Sequence, residues 1–327
     1  MTRPRKGMAI ALFTAGALAL AACSGGGAEP SSDGGGGGGG GNSGYTIAMV
    51  THETSGDLFW DKIKAGAEQA ATDTGATLKY SNDPDATKQA TLVQNAVDSQ
   101  VDGIAVTMAT PDALRASMQN AVAADIPLVA FNSGINDYKD AGASMYFGSD
   151  ETLAGQTAGE RIAAEGGVHP LCVIQQSGSV ALEARCAGVK AKVPGTENIQ
   201  VNGANDADVV ATLQAKLAAD PSIDWVVTLG AQQAMAALQS RQAAGSSAKV
   251  VTFDLSADVA QKIKDGEVVF SIDQQPYLQG YMAVTMLYLN IKNGNDIGGG
   301  QPTLTGPSFV DQDNIDVILP FAENNTR

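Results

Sequence analysis

The sequence predicts an α/β fold made of two doubly wound, parallel-sheet lobes. From residue 45 onward, short apolar runs rich in β-branched residues alternate with segments of helical periodicity, which is typical of parallel sheets with helices on both faces. The alternation covers about 270 residues, more than one hydrophobic core usually spans, so two similar lobes are expected. Several predicted strands end in polar side chains, and in such sheets ligands bind beyond the carboxyl ends of the strands.

The elements of the first lobe follow in strand–helix order. The first helix begins at Asp57 and ends at Gly75. A later helix is opened by Thr110 as N-cap and by Pro111 at its first position. The predicted strands are 47–50, 77–80, 103–108, 128–131 and 144–148.

The second lobe repeats this scheme. Helices are predicted at 151–165, around Arg185, from 207 and at 231–244. The stretch 249–281 then gives strand, helix, strand and helix. The predicted strands are 171–174, 199–201, 225–229, 250–253 and 268–272.

Candidate ligand-binding residues follow the strand ends. Carboxylate, amide and guanidinium groups around aromatic faces suit a polyhydroxylated ligand, because each hydroxyl both donates and accepts a hydrogen bond and sugar CH faces pack on rings. For each residue a structural role stays open: helix capping, core packing or a surface salt bridge. The candidates are His52, Glu53, Asp57, Phe59, Trp60, Asn132, Arg185, Asn205, Asp254 and Gln274.

The N-terminus predicts an exported lipoprotein. Basic residues precede an apolar segment, Met8 to Leu20, which is too short to span a membrane, and Leu20-Ala21-Ala22-Cys23 resembles a bacterial lipobox. We therefore expect a signal peptide at 1–22, lipid attachment at Cys23 and a glycine-rich flexible linker at 23–44.

The charge and the cysteines agree with export. Removing the three basic residues of the signal peptide changes the formal charge from −15 to −18, which argues against nucleic acid as a partner. Cys172 and Cys186 remain as an even pair in an oxidising compartment, and we predict a disulfide from a strand to its following helix; two free buried thiols are the alternative.

Enzyme signatures are missing from the sequence. It contains no GxSxG, GxxxxGK[ST] or HExxH motif, and two histidines offer little material for a metal site. We therefore predict a binding protein with no cofactor, no metal and no catalytic residue.

The residues at the strand ends resemble those of type I periplasmic sugar-binding proteins of ABC importers, the family that includes ribose-binding protein. The resemblance covers residues 45 to 318 and rests on the aromatic pair after Asp57, on Asn132 and Arg185, and on Phe253-Asp254 followed by Gln274. The segments LCVIQQSGSVALEARCAGV, FDLSADV, SIDQQPYLQGY and LTGPSFV are similar to a lipoprotein subgroup that includes sugar-alcohol binders.

Two departures from the family pattern argue against an aldopyranose or ribose and leave room for an acyclic polyol. The family's Asp-Arg pair after the fourth strand is Asn132-Ser133 here, and its Asn near 230 is replaced by Gly230-Ala231-Gln232. Ser133 joins the candidate ligand residues on this basis.

The resemblance implies a hinge of three chain segments, near residues 149, 275 and 306, and discontinuous lobes. The N-terminal lobe is 45–148 plus 276–305, the C-terminal lobe is 149–275 plus 306–318, and 319–327 is a tail. The implied function is a monomeric, lipid-anchored receptor on the outer face of the cytoplasmic membrane that binds a small neutral sugar or polyol and feeds an ABC permease. A ligand-presenting sensory partner of a kinase or chemoreceptor, and an exported carbohydrate enzyme, are the alternatives.

Overall fold

The structure is a computed structural model that describes residues 43–54 and 56–327. It contains two six-stranded sheets with helices on both faces, which confirms the predicted α/β class. The predicted signal peptide, Cys23 and most of the linker lie outside the described residues. Within the described ranges, no helix is long and apolar enough to cross a membrane.

The N-terminal lobe is built on the first sheet, in which all neighbouring strands are parallel. Helix α1 packs on α9, and α2 on α3. Apolar clusters that include Ile47 and Phe131 on one face and Val50 and Leu114 on the other form its core. In spatial order its strands are β11 (Thr303–Gly306), β5 (Met145–Ser149), β4 (Leu128–Phe131), β3 (Gly103–Thr107), β1 (Thr46–Thr51) and β2 (Thr77–Asn82), and its helices are α1 (Leu58–Thr74), α2 (Ala86–Asp98), α3 (Pro111–Ala123) and α9 (Pro276–Asn293).

The C-terminal lobe is built on the second sheet, which is parallel except that β12 runs antiparallel to β10. Helix α4 packs on α5, α6 on α7, and α8 on α10. In spatial order its strands are β12 (Ser308–Asp311), β10 (Val268–Asp273), β9 (Lys249–Phe253), β8 (Trp225–Thr228), β6 (Pro170–Ile174) and β7 (Glu197–Gln200), and its helices are α4 (Glu151–Ala164), α5 (Val180–Lys192), α6 (Asp206–Ala219), α7 (Ala231–Ala244), α8 (Ala257–Lys264) and α10 (Ile315–Glu323).

The chain passes from one sheet to the other at three places. They lie between β5 and α4, between β10 and α9, and between β11 and β12. Helix α10 runs from Ile315 to Glu323, across the predicted boundary at 318, and packs on α8. The consequence of the crossings is that the carboxyl ends of β1, β4, β6, β9 and β10 all face the space between the sheets.

Two pairs of helices approach closely where glycine leaves room. A Cβ on Gly155 would lie 2.1 Å from the carbonyl oxygen of Arg185, and one on Gly66 would lie 2.0 Å from that of Tyr277. Side chains at these positions would push α4 from α5 and α1 from α9. The first contact fixes the start of α4 against the turn of α5 that carries Arg185.

The predicted disulfide is present. Cys172 on β6 and Cys186 on α5 are bonded, their Cα atoms are 5.8 Å apart, and both residues are fully buried. The bond ties the strand that leads into the space between the sheets to the helix that follows it.

Candidate functional site

A cavity of about 330 Å³ lies between the two sheets, at the carboxyl ends of their strands. This volume is at the lower end of the range for small-molecule sites. Both lobes contribute to its wall. Predicted ligand residues in the lining are His52, Asp57, Phe59, Trp60, Asn132, Arg185, Asp254 and Gln274.

Asn132 and Asp254 enter the cavity from matching positions, directly after β4 and β9. Their φ angles are +64° and +65°, in the left-handed region that only a few side chains tolerate. The backbone of each is held by the next strand, since Asn132 N–H donates to Phe147 (2.8 Å) and Asp254 N–H to Ile272 (2.9 Å). Such conformations persist where the surrounding structure enforces them, and they concentrate at binding sites.

Arg185 is buried and is held mainly by Glu151. Its Nε and Nη2 donate to the two carboxylate oxygens of Glu151 at 2.6 and 3.0 Å, and its Nη1 donates to the carbonyl of Leu229 at 3.0 Å. The guanidinium also lies 4.7 Å from the ring centroid of Phe253. The surface salt bridge considered above is therefore wrong. Glu151 takes up Nε and Nη2 of the guanidinium, while Nη1 lies toward Asp254.

Asp254 is the buried carboxylate of the cavity. Its Oδ1 accepts from Gln274 Nε2 at 2.8 Å, and its Oδ2 lies 3.8 Å from Arg185 Nη1. Burial raises the pKa of this carboxyl from 3.8 to about 7, although Arg185 and Gln274 oppose the change. Glu151 and Asp254 together place two carboxylates around one guanidinium, so Asp254 is incompletely compensated and has acceptor capacity left for a ligand.

A chain of amides connects the two lobes beside the cavity. Asn132 Nδ2 donates to Gln274 Oε1 and to Gln279 Oε1, both at 3.3 Å. Gln279 Nε2 in turn donates to Gln274 Oε1 (3.0 Å) and to Thr305 Oγ1 (3.2 Å). Because these residues come from β4, the end of β10, α9 and β11, the hydrogen bonds join segments of two chain crossings.

His52 and Trp60 form the wall of the N-terminal lobe. Nδ1 of His52 lies 2.6 Å from Thr107 Oγ1, and its ring meets the Trp60 ring edge-on at 4.7 Å. Burial lowers the pKa of His52 to about 3, so the imidazole is neutral at physiological pH. Trp60 belongs to the core as well as to the lining, with 5 % of its surface exposed.

Asp57 and Phe59 lie at the start of α1. Asp57 caps the helix by accepting from the N–H of Phe59 at 3.0 Å, and burial raises the pKa of its carboxyl. Phe59 is partly buried and meets Trp60 edge-on at 5.2 Å. Both residues line the cavity in addition to their structural roles.

Three predicted ligand residues do not line the cavity. Glu53 instead accepts a hydrogen bond from Tyr80 at 2.7 Å. Asn205 is an exposed N-cap that accepts from Asp208 N–H at 3.2 Å. Ser133 is buried with its hydroxyl unpaired, and it too lies outside the lining.

Sequence reasoning missed Glu151 and a group of glutamines. Glu151 follows the capping residue Asp150, where an acidic residue is ordinary for a first helical turn. The replacement of the family's Asn by Gly230-Ala231-Gln232 indicated a change in this part of the cavity wall. It did not show which side chains fill the space. The additional polar residues of the lining are Thr54, Gln175, Gln176, Ser179, Asn202, Gln232 and Gln233.

Two other features are weaker candidates. A groove of about 870 Å³ runs along α7 and includes Gly56, Asp57, Phe59 and Gln232, but most of its lining is exposed or only partly buried. Among the described residues, His169, Glu197 and Asp220 have donor atoms close enough for a metal. The Lys216 ammonium lies 2.7 Å from Glu197 and 3.3 Å from Asp220, so it already balances their charge.

The two α/β lobes and the polar cavity between them define a two-lobed binding protein, and comparisons with known proteins give the family. Residues 47–296 match the periplasmic binding protein domain. The chain therefore belongs to the periplasmic binding protein family, as a type I sugar-binding protein of ABC importers, and it is not an enzyme. Proteins of this family lie outside the cytoplasm.

Three relatives illustrate the similarity. The xylose/arabinose-binding protein XylF of Sulfolobus acidocaldarius is 25% identical over 84% of this chain and 73% of its own length. The ribose import binding protein RbsB of Salmonella typhimurium is 27% identical over 71% of this chain and 79% of its own length. A crystal structure of a carbohydrate transporter from Acidothermus cellulolyticus 11B in complex with myo-inositol is 53% identical, with a TM-score of 0.86 over 86% of this chain and 99% of that chain.

Proposed function

We propose that this protein binds one small neutral sugar or sugar alcohol in the cavity between its lobes and delivers it to the permease of an ABC importer. The observation that carries the proposal is Asp254, a buried carboxylate that faces the cavity with Arg185 3.8 Å away. The relative from Acidothermus cellulolyticus, whose structure contains myo-inositol, supports a cyclic polyol as one candidate ligand.

The chemistry of the lining favours a neutral polyol. An ionised Asp254 accepts hydrogen bonds only, whereas the amides of Asn132 and Gln274 and the N–H groups of Arg185 donate them. A ligand hydroxyl can satisfy either kind of group, and a buried group left unpaired costs about 1–3 kcal/mol. An anionic ligand would lie against Asp254 and Asp57, which disfavours it.

Contributions from both lobes support ligand-linked closure. A ligand in the cavity contacts Asn132 from the N-terminal lobe and Asp254 from the C-terminal lobe, so it stabilises the closed arrangement over any open one. The three chain crossings are the segments about which the lobes can rotate. Only the closed, ligand-bound form would then fit the permease.

A thermal-shift screen of sugars and polyols tests this function. A ligand at about 100 times its Kd adds roughly 2.7 kcal/mol to the free energy of unfolding, which raises the Tm by roughly 5 °C or more. We expect such a shift from at least one pentose, pentitol, tetritol or inositol. A sugar acid of similar size serves as the control and should give none, and a flat response to every neutral compound would contradict the proposal.

Lipid anchoring at Cys23 completes the proposal, with support from the lipobox-like Leu20-Ala21-Ala22-Cys23. In a bacterial host the wild-type protein should stay in the membrane fraction, and the Cys23→Ser protein should not carry lipid by intact mass. Recovery of unlipidated wild-type protein with the segment before Cys23 still attached would count against the anchor. Association of ligand-loaded protein with reconstituted permease tests the delivery step separately.

A further inference from the structure

The side-chain amides of two glutamines that line the cavity make no hydrogen bond to any of the described residues. Gln175 follows β6 directly, and its buried Oε1 is unpaired. Gln233 lies in the first turn of α7 with 6 % of its surface exposed, and its amide makes no hydrogen bond to any residue that the structure describes. Buried polar atoms normally have partners, so the buried, unpaired Oε1 of Gln175 beside the free amide of Gln233 at a cavity wall points to a ligand.

Gly230 brings the two amides together. A Cβ at this position would lie 2.7 Å from Gln233 Oε1 and 3.2 Å from Gln175 Nε2, so both amides occupy space that any other side chain would need. Thr252 Oγ1 donates to the carbonyl of Gly230 at 3.1 Å and fixes its backbone. On the other side, a Cβ on Gly203 would lie 2.8 Å from Gln175 Cβ, so the position of Gln175 is restricted as well.

We infer that Gln175 and Gln233 bind neighbouring hydroxyls of the ligand and thereby determine which polyol the C-terminal lobe accepts. This inference rests on the proposed function. An amide offers a donor and an acceptor at fixed positions, and two hydroxyls on adjacent carbons can meet both. The unpaired Oε1 of Gln175 requires a donor, which a hydroxyl supplies and a deoxy position, an ether oxygen or a ketone does not.

The neighbouring Gln232 differs from Gln175 and Gln233 because its amide has a partner within the protein. Its Nε2 donates to Asp206 at 2.7 Å, so its amide is already committed within the protein. Gln175 and Gln233 are therefore the better assigned ligand contacts, although all three line the cavity. The selectivity that follows is for a neutral compound with vicinal hydroxyls over deoxy sugars and sugar acids.

Isothermal titration of Gln175→Met and Gln233→Met tests the inference, with myo-inositol, xylitol and D-arabinose as probes. Methionine keeps the length of the side chain and removes the amide, so the Kd of the tightest probe should rise at least about tenfold in each variant. Gln214→Met is the matched control, because Gln214 is exposed on α6 and away from the cavity, and it should bind like wild type. Circular dichroism verifies the fold of each variant.

The outcomes separate this inference from the proposed function. Wild-type protein that binds none of the three probes contradicts both. Wild-type binding with both variants within twofold of it overturns the glutamine assignment alone. Should a variant not fold, 15N-glutamine labelling of wild-type protein decides the question, since the side-chain NH2 signals of Gln175 and Gln233 must shift on saturation while that of Gln214 must not; unshifted signals overturn the inference.

Discussion

The carboxylate of Glu151 and the guanidinium of Arg185 form a bidentate pair, at 2.6 and 3.0 Å, with only 3 % of either residue exposed. Glu151 is the first residue of α4, immediately after the first chain crossing, and Arg185 lies on α5 where Gly155 lets the two helices touch. The pair therefore links the start of the C-terminal lobe to the wall of the cavity. The orientation of Arg185 toward Asp254 depends on it.

Glu151→Gln should destabilise the fold and weaken ligand binding together. Removing one partner of a buried ion pair leaves the other charge uncompensated, at a cost of about 3–5 kcal/mol in the free energy of unfolding. Urea denaturation measures this loss. Glu160→Gln is the matched control on the same helix, since Glu160 pairs with Lys192 near the surface and should change stability by less than about 1 kcal/mol. Equal effects of the two substitutions would contradict the importance of the buried pair.

Asp254→Ala should abolish the ligand-induced thermal shift while the ligand-free protein stays folded. The ligand hydroxyls lose the carboxylate that accepts from them, whereas Gln274 Oε1 still accepts from Asn132 and Gln279. The comparison needs only melting curves with and without the best neutral polyol. A variant that unfolds without ligand would show that Asp254 is structural and that the proposed site is misplaced.

Asp254 should stabilise the ligand-free protein at low pH, and this contribution to the free energy of unfolding should decrease as pH rises. The pKa of this carboxyl is raised in the folded state from 3.8 to about 7, so its favourable contribution is complete below about pH 4 and is lost as pH rises to about 7. The full difference is roughly 4 kcal/mol. Urea denaturation at pH 4.5 and 7.5 should therefore show that the free energy of unfolding of Asp254→Asn, relative to wild type, is greater at pH 7.5. A difference that does not change with pH contradicts this.

Polyol affinity should rise over the same pH range, because ligand hydroxyls donate to the ionised form of Asp254. Binding near pH 6 should release protons, which titrations in two buffers of different ionisation enthalpy detect. Asp254→Asn is the control and should release none. Proton uptake by the wild-type protein would have the wrong sign for this role.

Protonation of the buried His52 should be a main cause of unfolding in acid. Its pKa is lowered from 6.5 to about 3 by burial, so the stability contributed by the neutral ring is present above about pH 6.5 and is lost as pH falls toward 3. His52→Asn can keep a hydrogen bond to Thr107 and does not titrate, so it should resist acid unfolding better than wild type. Equal acid-unfolding midpoints would refute this, and measurement at pH 7.5 provides the reference.

The Cys172–Cys186 disulfide closes a loop between residues 14 apart in sequence. Its reduction should therefore lower the free energy of unfolding by roughly 3 kcal/mol. Urea denaturation of the wild-type protein with and without a phosphine reductant gives the difference without changing a side chain. The same treatment of a protein with both cysteines replaced by alanine should have no effect.

Most of the sheet was predictable because its strands are short, apolar and bounded by polar residues. Leu128–Phe131 and the helix at 231–244 match their predicted bounds, and Asp57 caps α1 as expected. The edge strands β11 and β12 were not predicted. Each has only four residues and is partly exposed, so neither shows a continuous apolar run.

The site was harder to predict, because the same residue types serve as caps, ion-pair partners and ligand contacts. Asn205 and Asn132 both follow a strand in the sequence, yet only Asn132 faces the cavity. Glu53, in the loop after β1, accepts a hydrogen bond from Tyr80 on β2, a contact that no local pattern indicates. The side chains over Gly230 depend on the distance between β6 and α7, which is set by the whole sheet and not by either segment.

Each sheet is completed by a strand that comes near the end of the chain, which affects how the protein folds during synthesis. The N-terminal sheet lacks β11, one of its two edge strands, until residues 303–306 emerge from the ribosome, and it lacks α9 until residue 293 has been made. The C-terminal sheet gains β12 at residues 308–311, and its lobe gains α10 at 315–323, so both halves are finished only near the end of the chain. Neither lobe can therefore complete its native sheet until translation is nearly complete.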